Sequence, residues 1–298
     1  MTRFRRRSAP APELRPEHFS DNDAYVRAVH DQGLAFDLGT LSTTFDRRRA
    51  LMVLGGGTLA LAGCAAQPAP SSSSASTSSV STSSSAAAGG TVGEIPEETA
   101  GPYPGDGSNG PDALAEDGIV RQDIRSSFGS STTTAEGVPL TIELTVVDVA
   151  AGGTPLAGAA VYLWHCDREG RYSMYSGGVE DENYLRGVQV ADDDGRLSFT
   201  TVFPACYSGR WPHAHFEVFS SVDDATGDGR ALVTSQLALP EDVCTAVFAT
   251  AGYEDSVRNL DRVSLDSDMV FSDGVDEQMA AVTGSVDAGY TASLTVGV

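Results

Sequence analysis

Residues Ala65–Gly90 read AAQPAPSSSSASTSSVSTSSSAAAGG, a low-complexity Ser/Ala/Thr tract with almost no large apolar side chain. Such a tract cannot bury enough surface to offset its ordering entropy, so it is expected to be a disordered linker. As a flexible coil it spans roughly 25–30 Å. It divides the 298-residue chain, and everything able to build a core lies in residues 91–298. That length suits one domain.

Charge divides the chain at almost the same place. Every basic residue is Arg. Nine Arg face seven Asp/Glu up to Cys64, whereas ten Arg face 34 Asp/Glu after it. A body this acidic repels phosphate backbones and anionic headgroups, which argues against nucleic-acid binding and electrostatic membrane docking.

The N-terminus reads as an address. Arg47-Arg48-Arg49 precede the apolar run ALMVLGGGTLALAGC, Ala50–Cys64. The run is shorter than the roughly 20 apolar residues of a spanning helix, and Gly-rich. Basic, apolar and small residues in that order form a signal peptide. The Arg pair resembles a twin-arginine export signal, and Leu61–Cys64 (LAGC) resembles a bacterial lipobox. Residues 1–64 are therefore expected to be a signal region, with lipidated Cys64 as the only membrane attachment. The protein would be exported and held at the outer face of the cell membrane.

The body reads as short strands. Val138–Ala150 alternates apolar and polar residues, and Ala159–Asp167, Gly195–Ala205, His213–Val222, Ala231–Leu239 and Tyr290–Val298 follow the same style. Gly/Asp turns separate them, with Asp192–Asp194 read as a solvated turn. One helix is expected over Pro240–Tyr253. This pattern indicates an all-β sandwich with few short helices and long loops.

Chemistry concentrates in Trp164–His215. After Cys64 the His residues are His165, His213 and His215, two of them as His-Ala-His. On a strand, positions i and i+2 share a face, so two imidazoles at this spacing can chelate one metal. Arg210 and Tyr207 lie three and six residues upstream of His213, and Tyr172 lies further upstream. Two His with two Tyr phenolates form a hard, anionic set that suits Fe(III) better than Zn(II) or Cu(I).

Gly101–Pro104 (GPYP), Pro155–Ser176, Tyr184–Val218 and Thr234–Leu237 (TSQL) resemble, in order, segments of the intradiol ring-cleavage dioxygenases. The resemblance implies an intradiol-dioxygenase-like β-sandwich over residues 91–298. It implies non-haem Fe(III) held by Tyr172, Tyr207, His213 and His215, with Arg210 and Gln236 completing the active site. It also implies cleavage of a catechol-type ring by O2, between the two hydroxyl-bearing carbons, to a cis,cis-muconate-type diacid. Tyr207 would leave the metal as a phenol when substrate binds, and Arg210 would stabilise developing negative charge. Trp164 matches a family Trp but reads equally as core. Tyr103 in GPYP is a pocket candidate, and His165 should face away from Trp164.

A non-catalytic cell-surface β-sandwich binding module is the alternative, and a His-based zinc or copper protein a third reading. Neither needs Tyr172 and Tyr207. Four Cys are too few for a disulfide-built scaffold. If Cys64 is lipidated, Cys166, Cys206 and Cys244 remain, and a Cys206–Cys244 bridge is expected to pin the Tyr207 loop, contributing roughly 3–4 kcal/mol.

Overall fold

In β1 (Pro139–Asp148), Leu140, Ile142, Leu144 and Val146 are buried while Glu143 is exposed. That two-residue alternation puts one face of the strand on a core. The computed structural model describes residues 92–298, in which β1 anchors the first of two sheets. β1 pairs antiparallel with the two-residue β2 (Thr154–Pro155) and with β5 (Arg196–Val202). It pairs parallel with β9 (Gly289–Gly297), which carries the outer β8 (Ala281–Ser285).

The second sheet has the order β4-β3-β6-β7, all antiparallel: β4 (Arg186–Val190), β3 (Ala160–Trp164), β6 (His213–Phe219) and β7 (Val233–Ala238). Its inner face, with Val161, Leu163, Phe216 and Val218, joins Leu140, Ile142, Leu144 and Phe199 of the first sheet in one core. Each such side chain contributes about 1.5–3 kcal/mol by leaving water. The outer face of this sheet is buried too. Every residue of β3 and β6 is buried, because long loops fold over it. The β-sandwich therefore offers a buried, loop-covered sheet face, and that face holds the polar residues.

Three helices are short: α1 (Val222–Ala225), α2 (Glu241–Phe248) and α3 (Glu254–Leu260). The single helix expected over Pro240–Tyr253 ends instead at Phe248. Tyr253 turns into the core, where its hydroxyl donates to Phe203 O at 2.7 Å and accepts from Val138 N at 3.1 Å. A straight helix could not deliver both bonds. The expected strands are present with trimmed ends. β4 and β8 were not anticipated: β4 is five residues with a buried Arg, and β8 is almost wholly exposed and shows no apolar alternation.

The expected Cys206–Cys244 bridge is absent. Cys166, Cys206 and Cys244 are buried free thiols. Cys206 Sγ points to Arg210 O at 3.4 Å and Cys244 Sγ to Leu239 O at 3.8 Å, so each thiol is directed at a carbonyl and not at the other sulfur. The signal region, Cys64 and the linker lie outside the described residues. Among the described residues no helix is long and apolar enough to cross a membrane.

Candidate metal centre

Strand register sets the site. Trp164 of β3 lies opposite Arg186 of β4 and His215 of β6, and His215 lies opposite Gln236 of β7. One cross-strand row on the outer face thus reads Arg186–Trp164–His215–Gln236. His213, two residues before His215, projects from the same face. Tyr172 and Tyr207 come from the two loops that fold over it.

The four side chains converge. His213 Nε2 is 3.1 Å from His215 Nε2 and 3.1 Å from the Tyr207 hydroxyl, and the Tyr207 and Tyr172 hydroxyls are 3.4 Å apart. His213 Nδ1 bonds the Trp211 carbonyl, so Nδ1 carries the proton and Nε2 turns its lone pair into the cluster. Trp164 stacks on His215 at 5.0 Å between ring centroids and 7° between planes, and Tyr162 stacks behind Trp164. His215 Nδ1 has no hydrogen-bond partner among the described residues; stacking orients this ring in place of a second bond. Gly101, at φ +70°, lies against His215: a Cβ there would sit 3.2 Å from Cε1. Glycine is what lets the GPYP segment close over the imidazole.

Burial sets the protonation states. It holds both imidazoles well below the usual histidine range, with the Arg210 cation adding to the effect. It pushes the Tyr207 phenol up to about 12 and Tyr172 well above its ordinary value, the neighbouring Tyr207 adding to the latter. Neutral imidazoles are ready ligands. The phenols need a strong cation to ionise. Two lone-pair Nε2 atoms and two hydroxyls aimed at one point form a donor set that fits a hard metal ion, and Fe(III) best satisfies the N2O2 chemistry. Among the described residues no three His, Cys, Asp or Glu gather into a metal cluster, so the centre exists only if the tyrosines count.

Arg210 is nearly inaccessible. Its Nη2 donates to Gln236 Oε1 at 2.7 Å, and Gln236 Nε2 donates to Thr99 O at 2.9 Å. All six site residues expected from sequence therefore meet in one place. Tyr103 also belongs, with its ring 5.1 Å from that of Tyr172. His165 faces away, bonded to Thr201 Oγ1 at 2.7 Å and Cys166 O at 2.8 Å. Asp192–Asp194 is an exposed turn.

Two residues were missed. Arg186 is fully buried, with no carboxylate partner among the described residues. Its five N–H groups meet Ser173 Oγ, Pro104 O, Tyr162 Oη, Tyr103 O and Ser173 O at 2.7–3.1 Å. It ties the Tyr172 loop to the GPYP segment. Asp268 is wholly buried and pairs with Arg210 at 3.0 Å. An Arg in a strand-like run was the available signal for the first; nothing in the sequence marked the second.

Residues 110–242 match the family model described as Dioxygenase. The structure is similar to the intradiol ring-cleavage dioxygenase from Tetranychus urticae, with a TM-score of 0.55 and 23% identity, covering 69% of this chain and 94% of that one. Residues 110–242 thus carry a dioxygenase match on an intradiol-dioxygenase-like fold. Chlorocatechol 1,2-dioxygenase of Rhodococcus opacus is 30% identical over 118 residues, 32% of this chain and 44% of the relative. Hydroxyquinol 1,2-dioxygenase of Rhizobium sp. (strain MTP-10005) is 38% identical over 55 residues, 18% of this chain and 19% of the relative. The chain thus matches less than half the length of these curated relatives. Tyr172, Tyr207, Arg210, His213, His215 and Gln236 fall inside the dioxygenase match, whereas Asp268 falls beyond it.

Proposed function

We propose that the domain is an intradiol dioxygenase that cleaves a catechol-type aromatic ring with O2 between its two hydroxyl-bearing carbons, giving a cis,cis-muconate-type diacid. The observation that carries the reading is the convergence of Tyr172, Tyr207, His213 and His215 beside a fixed arginine. A non-catalytic binding module needs neither buried phenols aimed at imidazoles nor a buried guanidinium beside them.

Non-haem Fe(III), held by those four residues, would supply Lewis-acid activation of the catechol oxygens. The chain supplies the rest. Tyr207 is the ligand suited to leave: it is partly accessible, while Tyr172 is 3% exposed and walled by Tyr103. Burial favours the protonated phenol of Tyr207, so on release its oxygen is a strong acceptor for a substrate hydroxyl proton. Tyr172, His213 and His215 stay in place. Arg210 presents its cation where negative charge builds on the ring and on oxygen, a preorganised electrostatic role. The loops over the sheet face exclude water from that charge.

In this proposal a twin-arginine signal and lipidation at Cys64 put the activity on the outer face of the cell membrane, with the acidic linker-borne domain meeting small catechols there. The test is oxygen uptake by iron-loaded protein against a panel of catechols, with products analysed. Uptake with ring cleavage supports the reading. Folded, iron-loaded protein that consumes no oxygen with any catechol counts against it.

A further inference from the structure

We propose that Asp268, from the C-terminal segment beyond the dioxygenase match, is the positioning residue that aims Arg210 at the reacting atoms. This rests on the catechol-cleaving reading above.

Asp268 follows a 3-10 turn, Leu265–Ser267, that is capped by Ser264. Its carboxylate is completely inaccessible and saturated with donors. Oδ2 accepts from Arg210 Nε at 3.0 Å and from Trp211 N at 2.6 Å. Oδ1 accepts from Val270 N at 2.8 Å, Phe271 N at 3.2 Å and, at 3.4 Å, Arg210 Nη2. Backbone donors therefore fix the carboxylate, and the carboxylate fixes the guanidinium side-on.

Donor accounting shows what this achieves. A guanidinium has five N–H groups in a rigid fork. Asp268 takes Nε–H and one Nη2–H, and Gln236 takes the other Nη2–H at 2.7 Å. Nη1 makes no hydrogen bond among the described residues. The two N–H groups of Nη1 are the face of Arg210 left for a ligand. Arg210 is held on Gln236, the cross-strand partner of His215, and its cation acts on both imidazoles, which puts the guanidinium beside the four converging residues. Gln236 alone gives one bond, about which the guanidinium can rotate. The Asp268 pair removes that freedom. Asp268 also fixes Trp211 N, whose own carbonyl orients His213.

Asp268→Asn keeps the volume and removes the charge. Expected for the iron-loaded variant is wild-type iron content and resting visible band, a kcat reduced about 10–100-fold and a KM within about 3-fold, the pattern of a misaimed transition-state group. Because Asp268 acts through Arg210, the same substitution in an Arg210→Ala background should change kcat by less than about 2-fold. An equal loss in both backgrounds, or a raised KM with unchanged kcat, overturns the proposal. A readout independent of turnover uses metal-free protein. Phenylglyoxal should modify Arg210 at least about 10-fold faster in Asp268→Asn than in wild type, by peptide mapping, because a pinned guanidinium lacks the mobility the reagent needs. Equal rates overturn it. If wild-type iron-loaded protein cleaves no catechol, the functional reading fails and the phenylglyoxal result still decides what Asp268 does. If Asp268→Asn does not fold, Asp268→Glu retains the charge and displaces the fork by one methylene. It should lose kcat with normal iron content, and wild-type kcat would contradict the proposal.

Discussion

Trp164 lies flat on His215, with ring centroids 5.0 Å apart and planes inclined by 7°. The register makes this obligatory, since the two residues are paired across β3 and β6. A metal-ligating histidine is ordinarily oriented by a hydrogen bond from its second nitrogen. Here an indole face does that work, with Tyr162 stacked behind it. Trp164→Phe should preserve iron binding, and Trp164→Leu should speed iron loss to a chelator by about 10-fold or more. Equal loss rates in both variants would show that the stack is packing alone.

The four converging residues should not be equivalent. His213→Ala should abolish iron binding. Tyr207→Phe should keep about one iron per chain, shift the visible tyrosinate band and lower turnover by about 100-fold. Metal analysis with absorption spectra checks both, and a Tyr207→Phe protein with wild-type spectrum and turnover removes Tyr207 from the centre.

Arg186 holds the Tyr172 loop to the GPYP segment through carbonyls on both sides, and Met174 sits at φ 71° within that loop. A non-glycine residue in the left-handed region persists only where its surroundings over-determine it. Arg186→Lys has three donors where five are used, leaving buried carbonyls unpaired. A loss of roughly 2–4 kcal/mol is expected in denaturant unfolding. A change below about 0.5 kcal/mol would show that the clamp is redundant.

Glu217 shares a strand with His213 and His215 and is 7% exposed. Burial, with the Asp106 carboxylate adding to it, raises its acid to about 7 from an ordinary 4.5, against a hydrogen bond from Thr234. Below pH 4.5 both folded and unfolded forms bind the proton, and this group costs nothing. Between 4.5 and 7 the folded form keeps a proton that the unfolded form releases, so stability falls as pH rises. The loss is complete above about 7 and is on the order of 3 kcal/mol. Unfolding measured from pH 4.5 to 8 should show a downward slope that Glu217→Gln reduces, with Glu98, which burial also raises to about 7, carrying the remainder; parallel curves would refute the assignment.

With no Cys206–Cys244 bridge, denatured but unreduced body should alkylate at Cys166, Cys206 and Cys244 alike. Mapping that finds Cys206 and Cys244 protected would restore the bridge.

The sequence carried the site well because its residues lie on adjacent strands or tight loops within a recognisable stretch. His-Ala-His needs only strand periodicity to be read, and β1 and β6 alternate cleanly. What escaped notice depends on contacts across long separations. Asp268 reaches Arg210 from 58 residues away, and no local pattern announces that meeting. Trp164 looked like core because a buried aromatic in a strand usually is; only the register with His215 reveals its second role. The helix ends at Phe248 and Tyr253 bonds Phe203 O instead, a tertiary contact that propensity does not encode. Cys206 and Cys244 invited a bridge by count, yet each thiol is turned to a nearby carbonyl.

The most direct test of the central claim is the product formed from catechol by the iron-loaded protein under 18O2. Mass spectrometry should show a cis,cis-muconate-type diacid carrying both labelled oxygens, from cleavage between the hydroxyl-bearing carbons. A yellow semialdehyde from cleavage beside them, or intact catechol after prolonged incubation, would contradict the account.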